Sequence, residues 1–198
     1  MNFYILFEFF WLFAFILAFW HCSKKKSIAN ALIFLVPAFV WGYLAEFTGV
    51  YLWKIYEYPV NYIMILFGIP LGIAFGWATI IYFGYYITTK YLRVKQRLAL
   101  DIDSALISTL FDFIILEPLA LVYQFWIWKQ NDFWFGAPLF NFIGWFLVIT
   151  IYLLTYQYIS KKYVNKKQQA IYFILALIPA FIILQLATCI YLSLFGWF

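Results

Sequence analysis

The chain has 198 residues, of which 68% are hydrophobic and 26% aromatic, while only 11% are charged. A soluble domain carries roughly one quarter charged residues, so a water-soluble fold is excluded. The formal charge of +5 does not indicate a nucleic-acid partner either, because the basic residues are confined to loops between apolar runs.

A membrane-crossing helix needs about 20 apolar residues, and six such stretches follow in order: Phe3 to Cys22, Ile28 to Trp53, Tyr62 to Thr88, Leu98 to Trp128, Leu139 to Tyr158 and Ala170 to Phe198. The fold class expected is therefore all-α, a polytopic transmembrane helix bundle, with residues 1–198 forming a single integral membrane domain. Lys24, Lys25 and Lys26 follow span 1. Lys90, Arg93, Lys95 and Arg97 follow span 3, and Lys161, Lys162, Lys166 and Lys167 follow span 5. These are 11 of the 13 Lys and Arg, leaving only Lys54 and Lys129 for the intervening loops. The positive-inside rule then places loops 1, 3 and 5 in the cytoplasm and both termini outside, with the basic residues meeting lipid headgroups. Span 1 is not a cleavable signal, since its basic cluster follows the apolar run. Cys22 and Cys189 both lie in or at apolar spans, which suggests neither a disulfide framework nor a zinc site, and the single His21 at the end of span 1 reads as an interfacial side chain rather than a metal ligand. No metal and no cofactor is expected.

Two stretches share the pattern G-x-P-L-x-x-x-x-G-W, Gly68 to Trp77 and Gly136 to Trp145. Each opens an odd-numbered span, so spans 2 and 3 are candidates for a parallel repeat with spans 4 and 5; chance likeness between two aromatic-rich segments is the alternative. Pro37, Pro118 and Pro179 interrupt the even-numbered spans, where a proline removes a backbone donor and kinks the helix. Span 4 would be about 46 Å long at 1.5 Å per residue, which overshoots a hydrocarbon core of roughly 30 Å. It must tilt, kink at Pro118, or leave Asp101 and Asp103 in the interface.

Carboxyl groups within a bilayer are costly and are tolerated mainly when they face a cavity or a partner. Glu46 lies near the outer end of span 2, Asp112 near the middle of span 4, and Glu117 immediately before Pro118. No Lys or Arg is expected at that depth. Desolvation without a counter-charge favours the neutral, proton-bearing form, the form that a general acid requires. Asp112 and Glu117 are five positions apart, about 140° on an ideal helix, so the two share a face only if the Pro118 kink turns them. Ser108, one turn before Asp112, is placed to hydrogen-bond it. The plainer alternative is that the acids only bridge helices. Around them stand Tyr51, Trp53, Tyr56, Tyr58, Trp77, Trp126, Trp128, Phe133, Trp134 and Trp145, most of them expected of an interfacial belt and a subset available to a substrate. Their electron-rich faces suit a cation, and Asn141 is placed to position a water or an acid.

At these residues the chain resembles a carotenoid biosynthesis membrane-protein family that includes the carotenoid 1,2-hydratases, also called bisanhydrobacterioruberin hydratases. One block is Gly42-Tyr-Leu-Ala-Glu46-Phe-Thr-Gly49-Val50 with Tyr56-Glu-Tyr58. The other runs from Asp112 through Leu116-Glu117-Pro118, Trp126-Ile-Trp128 and Gly136-Ala-Pro138 to Asn141-Phe-Ile-Gly144-Trp145. Glu117 stands where the family usually has Asp, and Gln124 where a Gly often precedes W-x-W. The blocks cover roughly Gly42 to Trp145, with spans 1 and 6 adding only hydrophobicity. The resemblance implies addition of water across the terminal C1,C2 double bond of a lycopene-like polyene that enters from the lipid. Glu117 or Asp112 would give the proton and Glu46 would orient or deprotonate the water, while Tyr56, Tyr58, Trp77, Trp126, Trp128, Asn141 and Trp145 would line the substrate site. A membrane-type lycopene cyclase shares the same protonation, and a non-catalytic polyprenoid-binding or transport module is the competing class.

Overall fold

The computed structural model of the chain describes residues 2–129 and 133–194. Among them six helical spans are long and apolar enough to cross a membrane: Phe3–Lys25, Ile28–Leu52, Leu71–Lys90, Arg97–Tyr123, Leu139–Lys162 and Lys166–Leu194. The protein is a multi-pass all-α membrane protein. Its helices are α1 (Phe3–Lys25), α2 (Ile28–Phe47), α3 (Leu71–Lys90), α4 (Arg97–Phe111), α5 (Glu117–Tyr123), α6 (Leu139–Lys162) and α7 (Lys166–Leu194). A π-turn, Thr48–Leu52, extends α2, and a second, Asp112–Leu116, joins α4 to α5 within one span.

Local chemistry sets the boundaries. The Asn2 side chain accepts from the Tyr4 N–H to open α1. Ser27 accepts from the Asn30 N–H at 3.1 Å, so only two residues lie between the end of α1 and the start of α2. Side-chain caps of this kind satisfy donors that a helix start leaves unpaired. Lys24 and Lys25 close α1, Lys90 closes α3, and Lys161 and Lys162 close α6, each placing positive charge at the negative end of a helix dipole. Helix α3 lies at the centre, with α1, α2 and α4 packed around it; α6 packs on α4, and α7 on α6. Trp41 donates to the Val148 carbonyl at 3.1 Å and Tyr152 to the Phe34 carbonyl, tying α2 to α6.

Two of the expected spans are too long. Tyr62 to Pro70 is not helical. It holds a small hairpin of β2 (Ile65–Leu66) and β3 (Ile69–Pro70), closed by Phe67 and Gly68 at φ 44° and 73°. Likewise α5 stops at Tyr123, Gln124 turns left-handed at φ 54°, and Trp126 and Trp128 belong to an extended return. There β4 (Ile127–Trp128) pairs antiparallel with β1 (Tyr56–Glu57), Tyr56 opposite Trp128. Hydropathy misjudged both segments because these loops fold back into the protein: Tyr62, Ile69 and Phe125 are buried, so they are as apolar as the spans they adjoin. The last four residues of the sixth expected span lie outside the described residues.

The repeat is present in the backbone. Phe135 and Gly136 have φ of 48° and 86°, matching Phe67 and Gly68, and Trp134 pairs with Ala137 as Leu66 does with Ile69. Two consecutive positive φ angles make the tight hairpin turn whose twist suits antiparallel strands. Pro70 and Pro138 then occupy the N-caps of α3 and α6. Lys54 and Gln124, at φ 53° and 54°, open the two returning strands, and a π-turn precedes each. The two halves meet where Trp77 stacks on Trp145, centroids 3.8 Å apart.

Candidate active site

Each half of the repeat presents a buried carboxyl clasped by aromatic donors from its own returning strand. Glu46, on the last turn of α2, accepts from Tyr56 at 2.5 Å and from Tyr58 through Oε2, and from Trp77 Nε1 at 2.6 Å through Oε1. Burial first, and then the charge of Glu46, holds the Tyr56 and Tyr58 phenols well above their ordinary range. They keep their protons and donate. Gly49 makes this clasp possible: a Cβ there would lie 2.6 Å from the Tyr56 hydroxyl.

Glu117 Oε2 accepts from Trp128 at 2.9 Å and Trp126 at 3.2 Å, and its Oε1 from Asn141 Nδ2 at 2.8 Å. The same Asn141 nitrogen donates to Asp112 Oδ2 at 2.9 Å. Asp112 and Glu117 thus converge on one side chain, contrary to the 140° separation expected of an ideal helix. The π-turn is the cause. Its widened ring bonds the Glu117 N–H to the Asp112 carbonyl, so residues five apart stack about one turn apart, and such turns occur often at functional sites.

Of the six oxygens on the three carboxyls, five accept at least one of these bonds. Asp112 Oδ1 is buried and accepts none. Trp77, Trp126 and Trp128 can only donate through their ring nitrogens, so the oxygens they reach are acceptors whatever the protonation state.

A cavity of about 250 Å³ lies among these groups. Glu46, Asp112, Glu117, Tyr56, Tyr58, Trp77, Trp126, Trp128, Asn141 and Trp145 all line it. The ten residues singled out from the sequence are therefore brought to one chamber, walled largely by rings.

Other expectations are corrected. Ser108 does not bond Asp112; it donates to the Ser104 and Ile80 carbonyls at 2.9 and 3.2 Å and ties α4 to α3. Asp101 is buried within the protein, 1% exposed, and accepts from Gln157 of α6. The terminal helices supply more than hydrophobicity: Phe7 and Trp11 of α1, and Gln185, Thr188 and Tyr191 of α7, line the cavity. Trp53 donates to Gln185 at 2.8 Å across its wall. Another buried carboxyl, Glu8 on α1, accepts from the Ile63 and Met64 N–H groups at 2.8 and 3.0 Å and pins the first hairpin. The Glu8 signal was available, a lone acid in an apolar run, but its partners are backbone groups distant in sequence.

A family model described as "Carotenoid biosynthesis protein" matches residues 4–196, nearly the whole chain. No curated protein and no solved structure matches the chain.

Proposed function

Because this chain belongs to the carotenoid biosynthesis protein family, we propose that it hydrates the terminal C1,C2 double bond of a lycopene-like polyene, with Asp112 as acid and Glu46 as the group that holds the water. The observation that carries the proposal is the convergence of three buried carboxyls and seven aromatic or amide side chains on one cavity.

Asp112 is favoured over Glu117 because, of the three carboxyls that line the cavity, its Oδ1 is the one oxygen without a donor. A proton placed there faces no competing N–H. It passes to C2 as the π electrons form the C2–H bond, leaving a tertiary cation at C1. Trp77, Trp145 and Trp128 line the cavity in which that cation would form, where aromatic rings stabilise positive charge, and Glu117 is held in place by three donors. Water held at Glu46 adds to C1 and releases one proton to Glu46. Return of a proton from Glu46 to Asp112 completes the cycle, so the net reaction is polyene plus water giving a tertiary alcohol, with no redox change. The substrate comes from the bilayer, and the lysine-rich loops after spans 1, 3 and 5 face the cytoplasm and its anionic lipids.

Expression in lycopene-making cells tests the reading. The expected product is a more polar carotenoid heavier by one water. An isomer of unchanged mass with a ring-shifted absorption spectrum would favour cyclisation, in which an internal double bond rather than water captures the same cation. No product with undiminished binding would favour a non-catalytic module.

A further inference from the structure

The repeat exposes an asymmetry between its halves. On α3, Gly72 and Gly76 let α1 pack closely: a Cβ at Gly72 would lie 2.9 Å from the Glu8 Cα, and one at Gly76 would lie 3.1 Å from the Trp11 ring. The space beside Gly76 is thus filled by an indole. In the second half the corresponding residues of α6 are Phe140 and Gly144. Phe140 stacks on Tyr191 of α7, centroids 5.0 Å apart, and a Cβ at Gly144 would meet nothing within 4 Å. Near its other end α7 packs tightly, with Phe173 fully buried against Tyr152 and Tyr156. Helix α7 therefore seals one end of its groove with α6 and, held off by the Phe140–Tyr191 stack, leaves the other end open beside Gly144.

That opening joins the cavity to the apolar surface. Gly144, Ile143, Leu147, Ala187 and Thr188 all line the cavity, and Ile143 and Leu147 are each 39% exposed among lipid-facing side chains. Gly144 adjoins Trp145, whose ring forms the central stack. We propose that the gap between α6 and α7 at Gly144 is the lateral portal and binding groove for one end of a linear polyene, occupying the volume that Trp11 fills in the other half. The inference rests on the hydratase reading only for the identity of its occupant. A linear apolar chain suits a narrow slot walled by aliphatic residues and open to lipid, and only its end need reach Asp112 while the remainder stays in the bilayer. Gly144 is then a specificity-determining residue, because any side chain at that position projects into the slot.

The test uses the full-length protein purified in detergent from lycopene-making cells, comparing the wild type with Gly144→Ala, Gly144→Val and Gly144→Leu. Two quantities are read: polyene retained per protein, from visible absorbance, and product formed. Both should fall in order of side-chain volume, with about a tenfold or greater loss of retention for Gly144→Leu and unchanged thermal stability, since the added atoms enter open space. Tyr191→Leu, which removes the spacer ring, should also lower retention by letting α7 close on α6. Undiminished retention in Gly144→Leu overturns the portal. A wild type that retains polyene but forms no hydrated product overturns the hydratase reading and leaves the portal standing. A wild type that retains none and forms none overturns both.

Discussion

Replacing Asp112 by Asn separates a chemical role for this residue from a structural one. The two side chains have the same shape, and an Asn amide oxygen accepts from Asn141 Nδ2 as Asp112 Oδ2 does at 2.9 Å. Its amide nitrogen then occupies the place of Oδ1, where no donor opposes it. The change should cost about 1 kcal/mol of stability or less, while removing a general acid lowers turnover by about 10²- to 10⁴-fold. Glu117→Gln should behave differently. Whichever way its amide points, its nitrogen faces N–H groups, either Trp126 and Trp128 or Asn141. A buried donor set against donors costs roughly 1–3 kcal/mol, so this variant should lose thermal stability as well as activity. The assay is product per membrane-inserted protein by chromatography, paired with thermal inactivation in detergent. Asp112→Asn retaining activity within about twofold, beside an inactive but fully stable Glu117→Gln, would refute the assignment of the acid.

Trp128→Phe keeps a ring against Tyr56 but removes one donor from Glu117; turnover should drop by about tenfold, equal to about 1.4 kcal/mol of a charge-assisted hydrogen bond, measured as initial rate on a linear polyene. Gly42→Leu drives a Cβ to 2.3 Å from Trp77 Cβ, so α2 and α3 must part and Trp77 must leave Glu46; a loss of about 1–3 kcal/mol or more is expected, seen as a lowered unfolding midpoint together with lost activity. Exposed Val60 and Val164 lie in loops after even- and odd-numbered spans. In a chain whose two native cysteines are replaced by Ala, Val60→Cys should react with an impermeant thiol reagent from outside intact cells, and Val164→Cys only after lysis. The opposite pattern would invert the orientation.

The membrane fold was legible because hydropathy, span length and the confinement of lysines to alternate loops depend on composition alone. The acids were legible for the same reason: Glu46, Asp112 and Glu117 stand out in an apolar run. Their convergence was not, because it depends on two π-turns that no periodic pattern of side chains announces. An extra residue in the turn between Asp112 and Glu117 changes which face each occupies, and 100° per residue gives the wrong answer there. The second returning strand reads as helix in the sequence, since Phe125 to Trp128 are as apolar as the span before them; the left-handed Gln124 that ends the helix is of a residue type that does not signal such a turn. A Gly would take that conformation without strain and would have marked the turn. Thr188 and Gln185 were missed because one polar side chain in a long apolar helix reads as lipid-facing until the neighbouring helix is placed.

Incubation of the purified protein with a linear polyene in oxygen-18-labelled heavy water tests the central claim most directly. The account predicts a tertiary alcohol with the heavy oxygen at C1 and deuterium at C2, formed by the wild type and not by Asp112→Asn. A product that carries deuterium but no solvent oxygen, or an alcohol made equally well without the Asp112 carboxyl, would contradict it.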